Sequence, residues 1–201
     1  NNSKAIIDLL EPVSEIFKSS FSIQYIIGLA HSRLKQYDEA INYYAKSHLI
    51  EPNSSSLLHS MAILYDAKEN WNKSDSIYVH LIRIDSSDAQ ALNNYAYSLV
   101  ERDQNLDEAL MMAKKAIALE PNNASYLDTI GWIYYKLNKT KKAKQFLEYS
   151  LEIVEDNSVV LEHLGDVFMK DNKLKEAINY YKRALALDKD NPILIEKVSP
   201  E

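Results

Sequence analysis

The sequence predicts an all-α fold, a solenoid of antiparallel helix pairs, on three observations. First, a pattern recurs every 34 or 35 residues: "YDEAINYYAKSHLIEPN" (37–53) matches "LDEALMMAKKAIALEPN" (106–122) and "LKEAINYYKRALALDKD" (174–190) in spacing and character. Second, each period holds two amphipathic stretches of helical periodicity, each about 13 residues long. Third, strand signals are missing, since the hairpin dipeptides Asn-Gly and Asp-Gly never occur. Neither helix of a pair can bury its apolar face alone, so successive pairs must stack.

The register fixes the order of elements. Ala40, Ser74, Ala109, Ala143 and Ala177 form its small-residue lattice, at steps of 34, 35, 34 and 34. Gly28, Ala62, Ala96, Gly131 and Gly165 repeat at the same period and let paired helices approach closely. Residues 3–18 read as the second helix of a truncated earlier repeat, with Ala5 in the small place. The first full repeat is 21–54, where Pro52 disfavours helix in the residue before it and Asn53 and Ser54 follow as caps. The second, 55–88, departs from the pattern with Ser74 and Ser86. The third, 89–123, carries one extra residue near "RDQN" (102–105), which lengthens its inter-helix turn, and closes on Pro121. The fourth, 124–157, contains "LDTIGWIYYKL", and the fifth is 158–191. Residues 192–198 begin a further helix that stops short, so 1–201 reads as a single solenoid domain. The chain opens "NNSKA" without a Met, as a fragment or processed form would.

This period resembles the tetratricopeptide repeat. "L-x-x-I-G-x-x-Y" (127–134) and "L-x-x-L-G-x-x-F" (161–168) resemble its first half, and "A-x-x-x-Y" at 40–44 and 177–181 its second. The resemblance covers nearly the whole chain. It implies a right-handed superhelix with the first helices lining the concave side. "NNYAYSLVERDQNLDEAL" together with "LDTIGWIYYKL" is similar in style to bacterial members, which points toward the cell envelope, with the cytoplasm as the alternative.

Composition narrows the chemistry. The net charge is −6, which argues against a broad nucleic-acid footprint. No apolar run suggests a membrane-spanning helix. With no cysteine and three scattered glycines, thiolate metal sites, disulfides, P-loops and dinucleotide fingerprints are not available. The five histidines, His31, His48, His59, His80 and His163, lack metal-ligand spacing and read as surface or packing residues. No nucleophile, base and orienter stand at readable spacing. No catalytic residue, metal site or cofactor is expected, and the chain reads as a non-enzyme. The basic run "KTKKAK" (139–144) reads as a solvated turn and first helical segment.

The functional candidate is one stripe of the first helices. At about 100° per residue, Leu127, Ile130, Gly131, Tyr134 and Leu137 share the packing side, while Asp128, Trp132 and Tyr135 share another. The resemblance implies that this second stripe faces a groove. Its best candidates along the chain are Tyr25, His59, Asn93, Tyr97, Asp128, Trp132, Tyr135, Glu162 and Asp166. Trp132, Tyr97 and Tyr135 would be anchors, and Asp128, Glu162 and Asp166 would make the C-terminal part acidic. The implied partner is a protein or peptide with an apolar anchor and a Lys or Arg. The Lys/Asn/Arg set that clasps a chaperone C-terminus has no match at Tyr25, Leu29, His59, Ile63, Asn93 and Tyr97. Two alternatives stay open. One is a non-catalytic module of a larger enzyme or envelope assembly. The other is a self-association module giving a homo-oligomer, in which Ile193, Leu194, Ile195 and Val198 insert into a neighbour.

Overall fold

The computed structural model describes residues 2–199 of the 201. The first residue and the last two of the expected 1–201 domain lie outside it. Among the described residues all regular structure is helical. The contacts gather the chain into two compact units, Asn1–Ser86 and Ser87–Glu201.

Unit 1 holds α1 (Asn2–Leu10), then the pair α2 (Phe21–Arg33) and α3 (Tyr37–Ile50), then α4 (Ser55–Ala67) and α5 (Trp71–Ile84). Unit 2 holds three pairs and a final helix. They are α6 (Ala89–Glu101) with α7 (Leu106–Leu119), α8 (Ala124–Lys136) with α9 (Thr140–Ile153), α10 (Ser158–Lys170) with α11 (Leu174–Leu187), and α12 (Pro192–Val198). In all five pairs the first helix has 13 residues and the second 14.

The small-residue lattice explains this regularity. Ala40, Ser74, Ala109, Ala143 and Ala177 are each 0 % exposed. At the glycine places the partner side chain fills the space that a Cβ would take. A Cβ on Gly28 would meet the Tyr44 ring at 2.5 Å, and one on Gly165 would meet the Tyr181 ring at 2.2 Å. Large rings on the second helix thus pack onto bare backbone of the first. The core of unit 1 gathers Ala40, Tyr44, Leu57 and Leu64, and that of unit 2 includes Leu161, Ala184 and Leu194.

The turns follow one design. Within a pair, the first helix ends in a left-handed residue: Lys35, Glu69, Asn138 and Asn172 have φ between 55° and 59°. The next N–H then reaches back five residues, as in Lys139 N to Tyr134 O at 2.8 Å and Gln36 N to His31 O at 3.0 Å, closing the helix end. The third pair differs as its extra residue requires, since both Asp103 and Asn105 are left-handed there. Between pairs, Asp88, Asn123, Asn157 and Asn191 accept first-turn N–H groups and cap α6, α8, α10 and α12.

The N-terminal segment departs from expectation. The helix expected over 3–18 ends at Leu10, and a 3-10 turn covers Glu11–Val13. Pro12 accounts for the break, because it removes a donor and clashes with the preceding turn. Ala5 is exposed, whereas Ser3 and Ser14 point inward.

Candidate functional site

The first helices of unit 2 carry most of the expected stripe, and the structure gives each residue a definite setting. On α8, Trp132 and Tyr135 are stacked with ring centroids 4.6 Å apart, as an i, i+3 pair on one helix face allows. The other neighbour of Trp132 is His163 of α10, nearly parallel at 4.1 Å. Lys170 lies 4.4 Å from the centroid of the Tyr135 ring. These four side chains form one run, Lys170, Tyr135, Trp132 and His163, joining α8 to α10. The indole N–H of Trp132 donates to Glu101 Oε1 of α6 at 2.7 Å, so the same ring also ties α8 back to α6.

The acids of the stripe are engaged in a regular way. Asp128 Oδ1 lies 2.8 Å from His163 Nδ1. Glu162 Oε1 accepts from Lys197 Nζ at 2.8 Å, and Asp166 Oδ1 accepts from the same ammonium at 2.7 Å. Asp166 also accepts from the Tyr181 hydroxyl at 2.7 Å. The offset is 35 residues for Asp128–His163 and Glu162–Lys197, and 31 for Glu101–Trp132 and Asp166–Lys197. Each carboxylate therefore braces its helix to a neighbouring first helix.

Unit 1 uses the same offset. The Tyr25 hydroxyl meets Ser60 Oγ at 2.9 Å and donates to Ser56 O at 3.1 Å, while its ring stacks on Phe21. Tyr25 is thus a packing residue of its own unit. Two further stripe residues are not on open surface: His59 and Asn93 are 7 % and 5 % exposed. Both occupy the place that in Tyr25, Asp128 and Glu162 turns toward the following first helix. Tyr97, by contrast, stays 37 % exposed. Partial burial, reinforced by Glu101, Asp128 and Glu162, pushes its hydroxyl above the ordinary tyrosine range.

Three participants escape a reading of the stripe alone: Glu101, His163 and Lys197. The signal for two of them is the 35-residue spacing from Asp128 to His163 and from Glu162 to Lys197, one repeat plus one residue.

His163 makes the cluster sensitive to pH. Burial by itself pushes the imidazole down, but the charge and hydrogen bond of Asp128, aided by Asp166 and Glu101, outweigh it and raise the pKa above 6.5. A raised folded-state pKa contributes stability that is fully present below the unfolded value and is lost as pH rises through the folded one. Asp128→Asn should therefore cost more stability near pH 6 than above the folded pKa. Melting temperatures of both proteins between pH 5.5 and 9 check this, and a difference independent of pH would contradict it.

No group of three or more His, Cys, Asp or Glu side chains suited to a metal occurs among the described residues. No described helix is long and apolar enough to cross a membrane.

Comparisons with known proteins bear on the repeats and the fold. The profile described as tetratricopeptide repeat matches residues 21–54 and 124–157, and one described as TPR repeat matches 165–194. The TPR repeat-containing protein PA4667 of Pseudomonas aeruginosa is 28% identical over 123 residues, 61% of this chain. The match spans only 18% of that relative's length. Among solved structures, the one reported for Pseudomonas aeruginosa pilF superposes with a TM-score of 0.73 at 21% identity, covering 88% of this chain and 80% of that one. A tetratricopeptide repeat protein from Parabacteroides merdae gives 0.82 at 15% identity, covering 97% and 75%. At such identities the structures speak for the fold alone. With the lattice of small residues and the matched profiles together, the chain is a tetratricopeptide-repeat-containing protein.

Proposed function

We propose that the chain is a non-catalytic scaffold holding a protein or peptide partner on the first-helix face of unit 2. One observation carries the reading: open apolar and aromatic surface stands beside an excess of carboxylates. Tyr97 is 37 % exposed and Met169 41 %. Asp128 pairs with His163, Glu162 and Asp166 share Lys197, and Glu101 accepts from the Trp132 indole. With Lys170 on the Tyr135 ring, the four carboxylates still outnumber the cations, and the cluster keeps a net negative charge. The partner chemistry that fits is an apolar anchor accompanied by a Lys or Arg. Trp132 and Tyr135 contribute less open surface than their type suggests, because they stack on each other, and their role is to hold the face rigid. Preformed surfaces of this kind lose little freedom on binding.

The test is affinity capture from the source cell, comparing wild type with Tyr97→Ala and Met169→Ser. Neither position is part of the packed core, so the fold should survive. A partner bound at this face should be retained at least about 10-fold less well, the size of a modest hot spot. Equal recovery by all three proteins would overturn the reading.

Self-association is a second reading, favoured by α12. Ile193 and Ile195 are 56 % and 46 % exposed there, although Leu194 is 0 % exposed within its own chain. Light scattering across a concentration series decides it: a constant monomer mass sinks self-association.

A further inference from the structure

A second surface of unit 2 has the opposite charge. The turns within the α8–α9 and α10–α11 pairs bring six lysines to one edge: Lys139, Lys141, Lys142, Lys144, Lys173 and Lys175. Five of them are exposed. The two turns meet at Phe168, whose ring holds Lys144 at 4.9 Å and Lys173 at 5.7 Å. Lys142 lies 5.3 Å from the centroid of Tyr134. Ammonium groups from successive pairs thus converge on shared aromatic surface in a chain of net charge −6. Among the described residues, only Lys144 of the six forms an ion pair, with Glu148 at 3.6 Å.

The placement opposes local helix energetics. The matching first turns of α3 and α7 carry Asp38, Glu39, Asp107 and Glu108, which suit the positive end of a helix dipole. In α9 the same places hold Lys141 and Lys142, with no acid in the first turn. Lys139 and Lys173 occupy the N-cap positions of α9 and α11. The second helices all lack a side-chain cap and α11 keeps Glu176 in its first turn, so the departure from the other pairs is the added positive charge at these starts. A sequence that breaks a local rule at several adjacent positions marks a functional surface.

We propose that this lysine edge is a second interaction surface, which takes an acidic polypeptide segment. The width of the patch selects that class over an anionic membrane or a nucleic acid. It extends over two turns and is bordered by Asp171 and Glu176 in sequence and by Glu148 and Glu152 further along α9. A broad phosphate surface would bring its charges within the screening distance of about 8 Å from these carboxylates. A single acidic strand can follow the lysines and avoid them. The surface is separate from the acidic first-helix cluster, so the two can hold different chains or two parts of one partner.

The probe is a fluorescein-labelled ten-residue peptide of alternating Glu and Ser, followed by anisotropy at 50 and 200 mM NaCl. Wild type should bind it, and should bind about 10-fold or more weakly at the higher salt. A Lys141→Gln/Lys142→Gln/Lys173→Gln variant should lose at least about 10-fold in affinity, whereas Lys114→Gln/Lys115→Gln, on the exposed side of α7, should match wild type. The triple variant should melt close to wild type, since relief of the helix dipoles offsets the loss of the exposed ring contacts of Lys142 and Lys173. The proposal is overturned if the triple variant binds like wild type, or if the α7 variant loses as much. It is equally overturned if phosphatidylglycerol vesicles or a DNA duplex bind the wild-type edge more tightly than the peptide.

Discussion

Gly165→Ala should destabilise unit 2 by about 1–3 kcal/mol, the range of overpacked cores. Two effects compete. Alanine is the better helix former by up to about 1 kcal/mol. Against that, its Cβ would stand 2.2 and 2.4 Å from two carbons of the Tyr181 ring. The ring has no easy escape. It is 2 % exposed, its hydroxyl is tied to Asp166 at 2.7 Å, and Lys197 lies over its face at 5.1 Å. The collision therefore wins. Gly131→Ala should cost less, because the first atoms its Cβ meets, at 2.8 and 3.0 Å, belong to the more adaptable Leu147. Urea denaturation followed by circular dichroism measures both. Combining Gly165→Ala with Tyr181→Leu should recover much of the loss. A single variant more stable than wild type would refute the packing account.

Trp132→Ala should be the most damaging change on the first-helix face, costing about 2–4 kcal/mol of stability and removing partner binding there. Two stacked contacts go, each worth about 0.5–1.5 kcal/mol beyond buried area, together with the apolar area of the indole. The hydrogen bond to Glu101 goes as well. Trp132→Phe separates the terms. It retains one ring between Tyr135 and His163 and loses the indole N–H with part of the ring area, and Glu101 is exposed enough to be hydrated. Its cost should stay below about 1.5 kcal/mol. Denaturation by circular dichroism suits this series, since Trp132 is one of the two tryptophans of the chain and replacing it changes the fluorescence signal itself. If Phe and Ala cost the same, the stack is not what holds α8 to α10.

The architecture was legible because it rests on repetition. Ala40, Ala109 and Ala177 stand at one register, and burial at 0 % follows from the close approach that only a small residue permits. The extra residue near 102–105 was equally readable, since it acts within a few residues of itself, whereas of the caps expected after Pro52, Ser54 takes the N-cap place of α4 without a side-chain cap bond. The N-terminal segment was less so. Ala5 fits the period, but Pro12 ends regular helix early and Ser3 turns inward instead. The candidate site was legible as a stripe and not as a network. Helical angle places Asp128, Trp132 and Tyr135 on one side of α8. It does not reveal that Asp128 meets His163 or that Glu162 meets Lys197. Those contacts depend on how one first helix is rotated against the next, a quantity that packing sets. For the same reason His59 and Asn93 share the stripe and yet are buried.

The two left-handed residues of the 102–105 turn, Asp103 and Asn105, have a consequence for how such a chain can change length. One residue added inside α7 would carry every later side chain of that helix round by about 100°. Ala109, Ala113 and Ala116, now all 0 % exposed, would leave the interface together. At the turn the same addition needs only one more residue with positive φ, and the phase of α7 is set afresh. The connections thus act as punctuation that isolates each helix from the counting errors of the one before. Insertions and deletions can accumulate there while the lattice of small residues stays in step.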